Sequence, residues 1–251
     1  MLRVNAPMPR GVRYGFTTRQ GGAPEAARLG PFSGLTLARA PEVPDAAVTA
    51  NWALALAALD DRLGPADVAL ATQVHGDRAV RVDEATGPLA TVGEADALFT
   101  TRPGLALAVR VADCVPVLVA SPKGIAAIHA GWRGVASKVV AAAIGALLDE
   151  TGERPDQLVA AIGPHISQDR FEVGREVVDG IVASGVPEEV FAVRRGDRWY
   201  VDLTAAIEVQ LRVLRVGAWA ATGACATGPR FYSYRRDAGR TGRMAGMIVR
   251  W

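Results

Sequence analysis

The chain has 251 residues, half of them hydrophobic and 22% charged, with 28 basic against 26 acidic side chains. That composition excludes a disordered chain and allows a sizeable core without disulfides or a structural metal. A formal charge of +2 supplies no general attraction for polyanions, so no nucleic-acid or membrane partner is expected.

The N-terminus, MLRVNAPMPRG, has no apolar stretch and no cleavage signal, so no signal peptide is expected. The first 45 residues are rich in Gly and Pro and read as irregular, with one short strand near Val12–Thr17. A helix is expected from about Pro44 to Leu63, closed by Gly64-Pro65. Strands follow at Val68–Val74, Ala79–Val82, Ala97–Thr101, Leu105–Val111, Val115–Ala120 and Ile125–His129. Gly131-Trp132-Arg133-Gly134 reads as a tight loop before a helix at Val135–Glu150. Leu158–Ile162 is a buried type of strand, and helices are expected near Arg175–Ser184 and Leu203–Val216. Trp199–Val201 and Met244–Val249 complete the strands.

No apolar run approaches the length of a membrane span. There is no internal repeat, and the whole chain, 1–251, reads as one domain. Several strands follow one another through short turns, which favours an α+β fold with a mixed sheet over a doubly wound one. Neither GxGxxG after the first strand nor GxxxxGK[ST] occurs, so dinucleotide and P-loop readings have no support.

Polar residues cluster where apolar strands end, in Gln73-Val74-His75-Gly76, Ala112-Asp113-Cys114 and His129-Ala130-Gly131-Trp132-Arg133-Gly134. A strand end beside a Gly-rich loop lets a side chain reach into a cleft while the scaffold stays rigid. His75, Cys114 and His129 together make a good zinc ligand set that leaves a fourth position open, as in catalytic zinc. Such a metal lowers the pKa of bound water to about 7. The same donors can hold copper. Their spacing is not diagnostic, and two other readings stay open here. Cys114 can be a small buried hydrophobe among ordinary polar histidines, or it can pair with His129 as a nucleophilic dyad. Asp96 and Asp113 are candidate acid/base groups, or carboxylates that orient a metal-bound histidine.

Arg133 beside a helix start suits an anion, against the plain alternative of a surface arginine. The tail, Phe231-Tyr232-Ser233-Tyr234-Arg235-Arg236-Asp237 with Gly239–Arg243, interleaves aromatics with arginines, as a site for a small anionic or aromatic ligand does. The alternative is an edge with solvated arginines, which suits Arg235 and Arg236 individually. His165, in Gly163-Pro164-His165, is either a turn histidine with a structural hydrogen bond or a wall of the cleft. Cys225 has no ligand nearby in sequence and reads as structural. Two cysteines make no disulfide framework, so a reducing, cytoplasmic setting fits.

Taken in order, Thr72–Gly76, Ala95–Leu98, Ala112–Pro116, His129–Gly134, Ile162–Pro164 and Phe231–Asp237 resemble the multicopper polyphenol oxidase (laccase)-like family, also called YfiH or DUF152. That family includes purine nucleoside phosphorylases of the FAMIN type, and the resemblance runs from about residue 12 to the end. It implies layered mixed sheets flanked by helices, an αββα arrangement. It also implies a metal, usually zinc, at His75, Cys114 and His129. The activity implied is phosphorolysis of adenosine, inosine and methylthioadenosine, with deamination of adenosine. Members have also been described as laccases and as peptidoglycan-editing factors, which would make the chain an amide hydrolase of a cell-wall precursor.

On this resemblance Cys114, His129, Asp113 and Asp96 are the candidate catalytic residues. Gln73, Arg133, Arg243 and His165 are the candidates for nucleoside and phosphate binding. Two departures stand out. Phe32–Ala40, FSGLTLARA, differs from the Asn-Leu-Ser type of stretch expected there, and His165 occupies a position that is often cysteine. A multicopper oxidase site conflicts with the arithmetic, because the chain's three histidines cannot ligate several coppers.

Overall fold

The strands in the middle of the chain are apolar on both faces, and both faces are used. A computed structural model describes residues 1–251. Its elements run β1 (Val12–Phe16), α1 (Asp45–Leu59), β2 (Val68–Thr72), β3 (Ala79–Arg81), β4 (Thr91–Glu94), β5 (Ala97–Thr100), β6 (Ala106–Val111), β7 (Val115–Ala120) and β8 (Ile125–Ala130). Then come α2 (Trp132–Ala136), α3 (Val139–Thr151), β9 (Val159–Ile162), β10 (Glu172–Val173), α4 (Arg175–Ala183), α5 (Glu188–Phe191), β11 (Ala192–Arg195), β12 (Arg198–Val201), α6 (Leu203–Val213), β13 (Ala218–Ala221) and β14 (Met244–Arg250).

Two mixed sheets carry the fold. One has the order β1-β14-β6-β2-β4 and the other β13-β9-β7-β8-β5-β3. Their inner faces meet in a core that includes Phe16, Leu107, Val109, Leu118, Ile125 and Ile248. The alternate residues of the first sheet, among them Ala106, Ala108, Met247 and Val249, pack on Trp52, Leu56 and Leu59 of α1. The outer face of the second sheet, through Val117, Val119 and Ile128, packs on α3, α4 and α6. The period-2 alternation of β6 and β14 divides their side chains between two cores, which explains why these strands read as unbroken apolar runs. The layers are helix, sheet, sheet, helix, as expected of this α+β fold.

Several boundaries moved. Helix α1 ends at Leu59, before Gly64-Pro65, because Asp60 turns extended and its carboxylate takes the backbone N–H and the guanidinium of Arg62. Strand β2 stops at Thr72, where Gln73 leaves the ladder. Gly131–Gly134 is not a loop. Gly131 is extended, Trp132–Ala136 forms a short helix, and Lys138 with φ 65° breaks it from α3. Strand β12 lies where Trp199–Val201 was expected, whereas its sheet partners β10 and β11 and the strands β4 and β13 carried no clear sequence signal. No helix is long and apolar enough to cross a membrane.

Candidate active site

Three strand ends converge at one edge of the two sheets. Residues 73–76 follow β2, Asp113 and Cys114 link β6 to β7, and His129 lies near the end of β8. Antiparallel pairing of β7 with β8 sets Val115 opposite Ala130, which brings Cys114 towards His129. One donor atom from each of His75, Cys114 and His129 lies within 4.8 Å of the others. His75 Nε2 is 3.8 Å from Cys114 Sγ, close to the ~3.5 Å that tetrahedral Zn–S and Zn–N bonds require. The two imidazoles meet edge to face at 4.9 Å.

Asp96 organises this set from behind. It is wholly buried. Its Oδ1 accepts from the backbone N–H of His75 (3.0 Å) and pairs with His129 Nδ1 (2.7 Å), while Oδ2 accepts from Val74 N–H (3.1 Å) and Gly76 N–H (2.7 Å). The loop after β2 thus wraps around one carboxylate, and His75 takes a left-handed φ of 64°. Burial alone would push the Asp96 carboxyl up, but the His129 and backbone hydrogen bonds outweigh it and hold it below its ordinary value. Because Nδ1 of His129 is taken by Asp96, Nε2 is the atom left for a metal. The acid/base role suggested for Asp96 is not supported, since all four of its contacts are internal; orienting is what its geometry does.

Burial opposes charge on Cys114, yet the neighbouring charge of His129 and the hydrogen bonds of both histidines bring the thiol well below its ordinary value. His129 moves up for the reciprocal reason, with Cys114 and Asp96 overcoming its burial. A thiolate is the form that ligates metal or attacks carbon.

The donor set opens into a cleft of about 580 Å³, within the usual size for a small-molecule site. Gln73, His75, Asp113, Cys114, His129, Arg133 and Arg243 line it, as the sequence suggested. Asp113 has φ 87°, a strained value for a residue with a side chain. Its Oδ2 accepts the backbone N–H of Arg235 at 2.6 Å, and its Oδ1 is buried without a partner. Burial pushes its carboxyl up against the hydrogen bonds of Arg235 and Ser233.

His165 does not reach the cleft. Its ring is buried, with Nδ1 donating to Gly163 O (2.9 Å) and Nε2 accepting from Thr204 Oγ1 (2.8 Å). Burial lowers its pKa, so it is a neutral turn histidine and the proposed pocket role has no geometric basis. Cys225, bonded by Ser167 and Thr227, sits with it as a structural group.

Arg235 and Arg236 part company. Arg235 lines the cleft, whereas Arg236 pairs with Asp237 and donates to the carbonyls of Thr227, Gly228 and Phe231. Arg133 is exposed, with its guanidinium 4.4 Å from the Trp132 ring centroid. The helix it opens spans five residues, so the expected dipole of a long helix does not assist it. Arg110 was missed. It also lines the cleft, and its signal was a lone cation inside the apolar strand β6.

The whole of residues 13–251 matches the family described as multi-copper polyphenol oxidoreductase laccase. A protein of Deinococcus radiodurans named purine nucleoside phosphorylase is 39% identical over 239 residues, covering 94% of this chain and 88% of its own. The purine nucleoside phosphorylase YfiH of Escherichia coli is 32% identical over 96% of this chain and 95% of its own. Among solved structures, the Neisseria meningitidis protein NMB0706, of the DUF152 family, superposes with a TM-score of 0.85 at 32% identity, covering 99% of this chain and 98% of its own. YlmD from Geobacillus stearothermophilus superposes with a TM-score of 0.89 at 28% identity, covering 99% and 95%. With its layered fold, its strand-end donors and these relatives, the chain belongs to the YfiH (DUF152) family of multi-copper polyphenol oxidoreductase laccase-type proteins.

Proposed function

We propose that the protein is a zinc-dependent purine nucleoside phosphorylase acting on adenosine, inosine and methylthioadenosine, and that the same cleft deaminates adenosine. The observation that carries this reading is the union of an Asp96-braced His75, Cys114 and His129 set with a cleft lined by Arg110, Arg133, Arg235 and Arg243. The names of the relatives support the same assignment. Three nitrogen and sulfur donors gathered within 4.8 Å, one braced by a carboxylate, fit zinc, and copper is the other metal such donors accept. Bound there, zinc supplies Lewis acidity and makes hydroxide available at neutral pH.

In phosphorolysis an oxygen of phosphate bonds to ribose C1′ as the bond from C1′ to the purine nitrogen breaks. The electron pair leaves on the purine, which then takes a proton. Some of these arginines hold the phosphate and neutralise its charge. Asp113, which lines the cleft and whose carboxyl pKa is raised by burial, is the candidate proton donor.

A second reading, amide hydrolysis of a cell-wall precursor, draws support from the line Cys114, His129, Asp96, which has the order of a thiol nucleophile, base and orienting acid. Elemental analysis of the purified protein, followed by chromatography of adenosine with and without phosphate, separates the two. Zinc near one per chain, with adenine formed only when phosphate is present and both lost in Cys114→Ala, supports the phosphorylase. Intact adenosine with zinc present favours the hydrolase, and full zinc with full activity in Cys114→Ala refutes the site.

A further inference from the structure

Four arginines line one cleft, but they are not equivalent. Arg133 and Arg235 are exposed, so water solvates their charge. Arg110 and Arg243 are drawn further in. Strand β14 pairs antiparallel with β6, setting Ala245 opposite Arg110 and Met244 opposite Val111. Arg243 lies one residue before β14, lines the same cleft as Arg110, and is close enough for its charge to act on Arg110.

Arg110 gives one N–H, from Nη2, to the Ala71 carbonyl at 3.0 Å. Arg243 uses Nη1 on the carbonyls of Thr241 and Gly242. Neither is bonded to a carboxylate. Burial is the main influence disfavouring the charge of each; at Arg243 the nearby Cys114 and Asp113 offset it in part, whereas at Arg110 Arg243 and Arg39 only add to it. A guanidinium does not give up its proton in a protein, so two such charges side by side call for an anion. Their remaining N–H groups are free to bind it, in the two-pronged geometry that suits a phosphate.

The cleft residue Gln73 is committed elsewhere. Its Nε2 donates to Arg110 O (2.7 Å) and its Oε1 accepts from Arg110 N–H (2.8 Å). The side-chain amide thus replaces the strand partner that β2 ceases to provide after Thr72, and it fixes the backbone from which Arg110 projects.

We infer that Arg110 and Arg243 together form the phosphate subsite, that Gln73 is a positioning residue for Arg110, and that Arg133 is not the anchor. The inference rests on the phosphorylase reading for its role in catalysis, although the anion site stands on geometry alone. The shared ligand chemistry is a phosphate dianion, and the co-substrate assigned is inorganic phosphate rather than the ester phosphate of a nucleotide.

The test is isothermal titration calorimetry of inorganic phosphate, and separately of adenosine 5′-monophosphate, into wild type, Arg110→Gln, Arg110→Lys and Arg133→Gln. Phosphate should bind wild type and weaken by about 10- to 100-fold in Arg110→Gln, the loss expected for charge-assisted hydrogen bonds. Arg110→Lys, which keeps the charge but not the fork, supplies the same comparison should the glutamine variant fail to fold. Arg133→Gln should change the affinity by less than about threefold. Gln73→Ala should raise the KM for phosphate while kcat at saturating phosphate holds.

Unchanged phosphate binding in both Arg110 variants overturns the inference. So does an equal loss in Arg133→Gln, or a wild type that binds only the nucleotide. Wild type that binds phosphate through Arg110 yet leaves adenosine intact refutes phosphorolysis and supports the subsite. Phosphorolysis with an unchanged KM for phosphate in the Arg110 variants does the reverse.

Discussion

Replacing Asp96 by asparagine removes one oxygen and no volume, and the structure states the cost. Both carboxylate oxygens accept two hydrogen bonds, Oδ1 from His75 N–H and His129 Nδ1 and Oδ2 from Val74 N–H and Gly76 N–H. Turned towards Val74 and Gly76 the asparagine NH₂ faces two N–H donors; turned the other way it faces His75 N–H while His129 can change tautomer and accept, so at least one donor is stranded in this wholly buried position. The stranded donor costs about 1–3 kcal/mol and loss of the charge-assisted bonds to the carboxylate a similar amount, so Asp96→Asn should destabilise the protein by roughly 2–6 kcal/mol. At this chain length that lowers Tm by roughly 5–20 °C. Loss of the His129 brace should also weaken zinc about 10- to 100-fold. Chemical denaturation at pH 7 on metal-free protein, with zinc competition on the folded variant, reads both effects. A free energy of unfolding within about 1 kcal/mol of wild type would refute the account of Asp96 as the buried anchor of the loop.

Three further perturbations probe separate parts of the argument. In Gly131→Ala the backbone (φ −72°, ψ 170°) accepts alanine, but the new Cβ would lie 3.0 Å from His75 Cδ2 and 3.1 Å from Cys114 Sγ. Zinc affinity should fall about tenfold or more while metal-free stability shifts by less than about 1 kcal/mol, and unchanged affinity would contradict the ligand geometry. Asn51 is buried and ties Ala23 N–H and the carbonyls of Gly34 and Thr36 to α1. Asn51→Ala should cost about 2–4 kcal/mol and speed proteolysis in residues 20–38, whereas a wild-type cleavage pattern would show that the segment holds itself. Asp237 is held below the ordinary carboxylate value chiefly by its hydrogen bond from Arg236. Its folded pKa lies below the unfolded one, so its stabilisation is present above about pH 4 and is lost as pH falls through the folded value. Asp237→Asn should therefore be less stable than wild type at pH 7 and converge with it in acid; a constant gap across that range would point to another cause.

Much of the architecture was legible because it depends on local pattern. The apolar runs 105–111, 115–120 and 125–129 are strands within a residue of where they were expected, since burial on both faces demands uninterrupted hydrophobes. The donor set was legible as chemistry once Cys114 and two histidines were found at strand ends, but their convergence depended on sheet order. The short helix Trp132–Ala136 was read as a loop because Gly-Trp-Arg-Gly has weak helical propensity. Strands such as Ala218–Ala221 were missed because their partners lie far away in sequence, here Val159–Ile162.

The sequence by itself determined the α+β class with a mixed sheet, the positions of the strand ends and the identity of three metal-type donors, because side-chain polarity and period are local properties, while the layering followed from the family resemblance. Only the tertiary structure decided how the polar residues were used. It turned Gln73 onto the backbone of Arg110, tied the two nitrogens of His165 to Gly163 and to Thr204 on α6, buried Asp96 behind His129 and set Arg110 beside Arg243. A polar side chain takes its role from the donors, acceptors and charges within about 3 Å of it, and in this chain those partners come from strands and loops tens to more than a hundred residues apart.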